Sequence, residues 1–225
     1  MKEEIMFEQV KNNPQVLACI KESDAVLGVM GFTDHGLRHL GVVVERARYL
    51  AKELNLSERE RELCAIASFC HDMGNFIGRT QHHYWGAMLF QQIFQGTMDP
   101  QDIVVVAQAI ANHGKETGEV KFTSKVSSIL VIADKSDVHR SRTREQSSQD
   151  MRENIYSRVN YGVTSSTLEV EHETRRITLS LTIDTDFVPV LEYFEIFTER
   201  MSYCRRAAKH LEYQFGLVIN EFKLL

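Results

Sequence analysis

The feature that most constrains this chain is a series of apolar stripes with helical spacing, three of which lead into a histidine or an aspartate. Apolar residues recur every three or four positions within residues 37–54, 63–70, 103–110 and 126–133. This spacing is typical of amphipathic helices that bury one face. The polar residues that closely follow the last three stripes are His71, Asp72, His113 and Asp134. The sequence therefore predicts a helical bundle in which three helices turn such side chains toward the core.

Start and stop signals indicate where one of these helices lies. Ser57, with Glu60 three residues later, has the pattern of a capping box. Gly74 stands where the same helix is expected to end. His71 and Asp72 are therefore predicted to lie in its last turn. One more helix is predicted to follow, from about residue 81 to residue 95.

The character of the chain changes after residue 160. Apolar residues alternate with polar ones over residues 168–172 and 177–183, which is the period of half-buried strands and predicts a hairpin. A long helix is predicted from Val188 to Phe215, ended by Gly216, with residues 217–225 as a candidate third strand. Its predicted inward-facing residues are Leu191, Phe194, Phe197, Met201, Cys204, Ala208 and Leu211.

These patterns predict a mainly α fold with a small α+β extension at the C-terminal end. The extension would comprise the antiparallel hairpin and the long helix. We assign residues 1–160 to the helical core and residues 161–225 to the extension. We expect the extension to pack on the core, because the hairpin has an apolar face that must be covered.

Composition excludes several classes of protein. The formal net charge of −5 argues against a surface that binds a nucleic acid polymer. The most apolar run, residues 103–111, is too short to span a bilayer, and the N-terminus lacks the apolar core of a signal peptide. Four cysteines without C-x-x-C spacing are expected to be reduced. We therefore expect a cytoplasmic protein without a membrane partner, for which a homodimer is a possible assembly.

Six residues supply nitrogen and oxygen donors that divalent transition metals accept. They are His39, His71, Asp72, His82, His113 and Asp134. Side chains of two consecutive residues in a last helical turn differ by roughly 100° around the axis, so His71 and Asp72 can converge on an ion over the helix end. The two oxygens of Asp72 can also bridge two ions. In that arrangement His39, His71 and Asp134 hold the first ion. His82 and His113 hold the second, and Asp72 is shared.

Five segments around these residues resemble the motifs of the HD-domain superfamily of metal-dependent phosphohydrolases. They are residues 33–39 (its first-histidine helix), 68–75 (its signature LLHDIGK), 82–87 (HPxxGA), 110–114 (I-x-x-H-H) and 131–135 (ADK/R). Asn75 stands where the signature usually has a lysine. The resemblance covers roughly residues 30–145, and it implies an all-α core, an HD-domain helical bundle, with metals buried among the helices.

The segment that begins at residue 82 leaves a choice of ligand. The separation from Asp72 is short, so either His82 or His83 could be the ligand, and the spacing to Gly86 favours His82. If neither histidine reaches the ion, the site is mononuclear. Its ligands would then be His39, His71, Asp72 and Asp134.

Cations near these segments are candidates for binding a substrate phosphate. They are Arg79, Lys115, Lys135 and Arg142. Lys135 is the strongest candidate for phosphate binding because it follows Asp134 directly. The predicted catalytic residues are Asp72 and Lys135. The alternative for each cation is a solvated face with local ion pairs, such as Lys135 with Asp137. His35 either contacts the ligands or substrate, or is an exposed cap residue.

The function that we predict is metal-dependent hydrolysis of a small phosphorylated metabolite or nucleotide, either a phosphomonoester or a phosphodiester. One or two divalent ions would activate water, and Fe, Mn, Co, Ni and Zn are not distinguished. Two alternatives remain open. Some relatives with this ligand order use a di-iron pair and molecular oxygen, and four histidines with two carboxylates suit iron. The other is a non-catalytic sensor that binds a nucleotide, with residues 165–225 as its output or dimer surface.

Overall fold

The computed structural model describes residues 4–114, 121–144 and 148–224. The helices of these ranges are α1 (Phe7–Lys11), α2 (Pro14–Val29), α3 (Leu37–Glu53), α4 (Glu58–Cys70), α5 (His82–Phe94), α6 (Pro100–His113), α7 (Lys125–Lys135), α8 (Ser148–Glu153), α9 (Ile155–Gly162) and α10 (Val190–His210). The strands are β1 (Val163–Glu171), β2 (Arg176–Ile183), β3 (Gln214–Ile219) and β4 (Phe222–Lys223). The predicted fold class, mainly α with a C-terminal hairpin and long helix, is confirmed. None of the described helices combines the length and hydropathy needed to cross a membrane.

Side-chain caps set the start of several helices. The predicted capping box of α4 is present, because the Ser57 hydroxyl accepts a hydrogen bond from the Glu60 N–H (3.3 Å) and the Glu60 carboxylate accepts one from the Ser57 N–H (2.9 Å). Asn13 and Asp99 cap α2 and α6, each followed by a proline at the first helical position. A cap of this kind contributes about 1 kcal/mol, so these residues fix where the helices begin.

The centre of the bundle is formed by α3, α4, α6 and α7, which pack on one another, while α5 covers α6. Each of the four central helices contributes buried side chains to this core. Examples that are at most 1% exposed are Leu40, Ile66, Ile110 and Ile129. The prediction that the apolar stripe of α3 is buried is wrong for its first residue. Leu37 is 61% exposed because α3 begins at this residue, and its side chain borders a surface groove.

The turn after α4 brings the start of α5 next to His71 and Asp72. Because α4 ends at Cys70, these two residues follow the helix and do not lie in its last turn as predicted. A Cβ atom at Gly74 would lie 2.3 Å from the carbonyl oxygen of His82, so only glycine permits this approach of the two backbones. The close approach leaves no room for α4 to continue, and it positions His82 beside Asp72.

The four strands form one sheet in the order β1-β2-β3-β4. β1 and β2 form the predicted antiparallel hairpin, with Val170 opposite Ile177. β3 pairs in parallel with β2, and β4 pairs antiparallel with β3. Parallel neighbours need a long crossover connection, and α10 supplies it.

α10 is shorter at its C-terminal end than predicted. It ends at His210 and not at Phe215, because Glu212 adopts a left-handed backbone conformation (φ 63°) that reverses the chain. Phe215 and Gly216 therefore lie within β3. Leu191, which was predicted to face inward, is 68% exposed because it falls outside the buried face of the helix.

α10 joins the sheet to the helical core by packing on both β3 and α7. Ser128 of α7 hydrogen-bonds with His210 of α10 (Oγ to Nδ1, 2.9 Å). Arg46 of α3 donates to the carbonyl oxygen of Ser166 in β1 (2.7 Å). The predicted boundary between residues 160 and 161 falls inside α9, and the division into two units stays a prediction.

Tyr203 of α10 ties the extension to the end of α6. Its fully buried hydroxyl donates to the carbonyl oxygen of Asn112, the residue before His113. Tyr203→Phe removes this donor from a buried acceptor, so we expect the free energy of unfolding to fall by about 1–3 kcal/mol. Urea unfolding followed by circular dichroism measures the change. Tyr156→Phe, at an exposed position of α9, should cost less than about 0.5 kcal/mol, and equal losses in the two variants would contradict this assignment.

Candidate metal centre

Four buried histidines from four segments meet at the centre of the bundle. His39 lies in α3, His71 follows α4, His82 begins α5 and His113 ends α6. In each ring, Nδ1 lies within hydrogen-bond distance of a fixed oxygen acceptor. The acceptors are the Asp137 carboxylate for His39 (2.7 Å) and the carbonyl oxygens of Ser68 for His71 (2.7 Å), Arg79 for His82 (2.8 Å) and Ile110 for His113 (2.6 Å). These bonds place a proton on each Nδ1 and direct each Nε2 into the cluster.

The four Nε2 atoms approach one another in two pairs. The Nε2 atoms of His39 and His71 are 3.4 Å apart, and those of His82 and His113 are 3.0 Å apart. Two nitrogen lone pairs at this distance repel each other unless a cation or a proton lies between them. Neutral imidazole binds metals through the nitrogen that carries no proton, while the other nitrogen donates to a fixed acceptor. The residues present therefore fit divalent metal ions.

Asp72 lies between the two histidine pairs and presents one carboxylate oxygen to each. Its Oδ2 is 3.2 Å from Nε2 of His71 and 3.8 Å from Nε2 of His39. Its Oδ1 is 3.3 Å from Nε2 of His82 and 3.6 Å from Nε2 of His113. One carboxylate thus has nitrogen donors on each side.

Asp134, near the end of α7, completes the first of the two groups. Its Oδ1 is 3.5 Å from Nε2 of His39 and 3.6 Å from Nε2 of His71. Metal bonds to nitrogen and oxygen of about 2.0–2.2 Å separate neighbouring ligand atoms by roughly 3 Å or slightly more. The spacing of His39, His71 and Asp134 could therefore hold one ion with little movement of the side chains.

The charges around the cluster keep both carboxylates ionised. Burial raises the pKa of each aspartate, but His71 beside Asp72 and Lys135 beside Asp134 hold both pKa values well below the usual range. For His71, burial lowers the pKa but the two carboxylates outweigh it and raise it to about 10. Burial lowers the pKa of His113 to about 3. The carboxylates of Asp72 and Asp134 would attract a cation that bound here, and His71 would release a proton on binding it.

Asp137 contacts a candidate ligand and was missed by the sequence analysis. Its Oδ2 accepts hydrogen bonds from Nδ1 of His39 and from Nη2 of Arg38, both at 2.7 Å. Burial raises the pKa of Asp137, but the bond to His39 and the nearby arginines lower it far below the usual range. This carboxylate selects which nitrogen of His39 faces the cluster. The available signal was a second aspartate three residues after Asp134, which was interpreted only as a partner for Lys135.

Lys135 and Arg142, two of the predicted substrate-binding residues, have different surroundings. Nζ of Lys135 lies 3.0 Å from Oδ2 of Asp134, so Lys135 forms an ion pair with Asp134. Arg142 is buried and donates to the carbonyl oxygens of Asp34 and Asp137, at 2.9 Å each. These bonds hold the segment after α7 against the start of α3. Part of the role of Arg142 is therefore to stabilise the packing of these two segments beside the site.

Asn75 and Arg79 lie beside Asp72. Nδ2 of Asn75 donates to Oδ1 of Asp72 (2.9 Å), and Oδ1 of Asn75 accepts from Nη1 of Arg79 (2.8 Å). The same Nη1 is 3.9 Å from Oδ1 of Asp72. At the place where the signature usually has a lysine, Asn75 therefore orients the central carboxylate and connects it to an arginine.

A cavity of about 200 Å³ opens over the cluster. His35 borders this cavity and its Nδ1 lies 2.6 Å from the carbonyl oxygen of Thr33, so His35 is part of the wall and not an exposed cap. The cations that border the cavity are Arg79, Lys135, Arg142 and Arg200. Arg200 belongs to α10 and was not predicted, because helical periodicity does not reveal which distant cavity a polar side chain reaches. Lys115 lies outside the described residues and remains a prediction.

The fold and the cluster together define a helical domain whose buried histidines and aspartates could hold divalent metal ions. The sequence pattern of the HD domain matches residues 36–150, which is just over half of the chain. The chain belongs to the HD-domain family, as the resemblance of its motifs implied. Members of this family are mostly metal-dependent hydrolases. A search of curated proteins finds no match to the chain.

Asp137 should control metal affinity without contacting the metal. In Asp137→Asn the amide still accepts from His39, but the loss of negative charge makes His39 a weaker electron donor. We expect the affinity for Mn²⁺ to fall by about 10- to 100-fold. Competition with a chelating indicator measures the affinity, and circular dichroism verifies folding. The exposed Asp186→Asn is the control, and an unchanged affinity in folded Asp137→Asn would contradict this role.

Proposed function

We propose that this protein is a dinuclear metal-dependent phosphohydrolase that acts on a small phosphorylated compound. The observation that carries the proposal is the position of Asp72, whose Oδ2 lies 3.2 Å from His71 Nε2 while its Oδ1 lies 3.3 Å from His82 Nε2. A carboxylate with nitrogen donors on both sides is suited to bridge two ions, as in two-metal hydrolytic sites. His39, His71 and Asp134 would hold one ion, and His82 and His113 the other.

The choice of His82 over His83 is supported by the direction of the two rings. Nε2 of His82 lies 3.0 Å from Nε2 of His113, at the proposed second ion. The His83 ring packs against Tyr84, with 4.2 Å between ring centroids, and its centroid lies 6.2 Å from that of His113. Because His82 lies within reach of Asp72, a second ion has a ligand besides His113. This favours two ions over the mononuclear alternative.

When bound, divalent ions lower the pKa of a water and neutralise charge on phosphoryl oxygens. The chain's own part is to bind and orient the phosphoryl group. Lys135 beside Asp134 and Arg79 beside Asp72 place ammonium and guanidinium donors at the two carboxylates, where they can donate to phosphate oxygens. Burial of the cluster among helices excludes bulk water and strengthens these charge interactions.

Metal content tests the dinuclear arrangement directly. We expect two equivalents per chain in protein purified anaerobically and loaded with Mn²⁺, Fe²⁺, Co²⁺, Ni²⁺ or Zn²⁺ in turn. His82→Ala and His113→Ala should each lose one equivalent, because they remove donors from one group only. Asp72→Ala should lose both, because it removes the shared ligand. Elemental analysis after gel filtration measures these ratios.

His83→Ala is the matched control, since it removes a neighbouring buried imidazole that is not a proposed ligand. It should keep both equivalents. Loss of an equivalent in His83→Ala but not in His82→Ala would reassign the ligand. A single equivalent in the wild-type protein at every loading would overturn the dinuclear arrangement.

Anaerobic release of phosphate tests the reaction class. We expect the metal-loaded protein to release inorganic phosphate from small phosphoesters without oxygen. Lys135→Gln should reduce kcat/KM by about tenfold or more, because a charged hydrogen bond to the substrate is lost. Oxygen uptake on addition of substrate, with no anaerobic phosphate release, would support the oxygenase alternative. Binding of a nucleotide without turnover under either condition would support the sensor.

A further inference from the structure

We infer that the substrate carries a second anionic group besides the phosphoryl group that reacts, and that Arg200 of α10 binds this second group. The inference rests on the proposed function for the reacting group. It adds the class of substrate, a compact and multiply charged metabolite, and a binding residue from outside the matched HD segment of residues 36–150.

The charge of the cavity wall is the first observation. In the part of the chain that the structure describes, four cations border the cavity together with two carboxylates, and these residues are Arg79, Lys135, Arg142, Arg200, Asp72 and Asp134. Both carboxylates are already directed at the imidazole cluster. Divalent ions at that cluster would add further positive charge. The four cations exceed the two carboxylates by two charges, which is about what one phosphoryl group carries. The additional charge of bound ions would therefore suit a ligand with more negative charge than one phosphoryl group supplies.

The size and lining of the cavity are the second observation. Its volume of about 200 Å³ is below the range of about 300–1,000 Å³ that is typical of pockets for larger ligands. Among the described residues, its lining consists of histidines, acids, cations and Gly114, with no aliphatic side chain and no Phe, Tyr or Trp. A nucleobase would find no apolar or stacking surface there. The cavity therefore favours a compact polar compound over the nucleotide that the sequence left open.

The position of Arg200 distinguishes it from the other cations. Lys135 and Arg79 lie next to the proposed metal ligands, and Arg142 donates to backbone carbonyl oxygens. Burial lowers the pKa of Arg142, and the charge of Arg200 lowers it further. Both guanidinium groups also border the same cavity, where their like charges repel each other. An anion between them removes this repulsion.

The side chain of Arg200 is also held in place before ligand binds. Its guanidinium lies 4.9 Å from the centroid of the Phe197 ring, and Phe197 is 1% exposed. α10 packs on α7, which carries Asp134 and Lys135. A planar guanidinium in a fixed orientation suits a carboxylate or a second phosphate, which it can bind with two hydrogen bonds.

Two non-hydrolysable probes of matched size test the inference. 3-Phosphonopropionate has a phosphonate and a carboxylate, while butylphosphonate has a methyl group at the far end. We expect Mn²⁺-loaded protein to bind 3-phosphonopropionate about tenfold tighter or more by calorimetry, because a charged hydrogen bond is gained. Arg200→Gln should remove this preference and leave the metal content unchanged, and it should lower the affinity for butylphosphonate much less than the affinity for 3-phosphonopropionate.

Arg205→Gln is the matched control, an exposed arginine on the same helix that does not border the cavity, and it should keep the preference. Equal binding of the two probes by the wild-type protein, or a preference that persists in Arg200→Gln, would overturn the inference. Faster hydrolysis of nucleoside monophosphates than of compact bisphosphates would also overturn it while leaving the phosphohydrolase proposal intact. A retained probe preference without any turnover would instead overturn the phosphohydrolase proposal alone.

Discussion

The hydrogen bond from Nδ1 of each of the four clustered imidazoles to a fixed oxygen is the interaction on which the rest of the site depends. An imidazole that could rotate would satisfy its own polar atoms and leave the cluster. Three of the acceptors are backbone carbonyls of the same or adjacent turn, as for His71 with Ser68 and His113 with Ile110. The helices therefore orient the rings by their own backbone. The packing of α3, α4, α6 and α7 then brings the Nε2 atoms together at distances that only a cation or a proton makes favourable.

His39 is the exception, because its acceptor comes from a distant part of the chain. Asp137 reaches it from the segment after α7, and the same carboxylate accepts from Arg38. Arg142 then binds the carbonyl oxygens of Asp34 and Asp137. A buried charge network of this kind is costly to disrupt by removing one member. It couples the orientation of one proposed ligand to the packing of α3 against the chain that follows α7, so the site and the fold share these contacts.

Of the six candidate ligands, His71, Asp72, His113 and Asp134 follow apolar stripes that one face of a helix must bury, whereas His39 lies near the start of α3 and His82 begins α5. Helical periodicity was sufficient to predict the bundle. It did not predict contacts between distant segments. Asp137 is one residue of a polar stretch, and only the approach of α3 gives it His39 as a partner. The end of α10 was misplaced because Phe215 continues the apolar pattern of the helix, although a left-handed Glu212 has already turned the chain into β3.

The C-terminal extension is part of the site because of how α10 packs. The sheet covers one part of this helix while α7 contacts another, so α10 is held at a fixed distance from Lys135 and Asp134. Arg200 on α10 and Lys135 on α7 are therefore positioned relative to each other by a buried helix-helix interface and not by a surface loop. A wall built this way is preorganised, and it costs little conformational entropy when an anion binds. The helical core alone would retain the proposed metal ligands and the other cations of the wall but would lack Arg200, which is a physical reason for the extension to accompany the core.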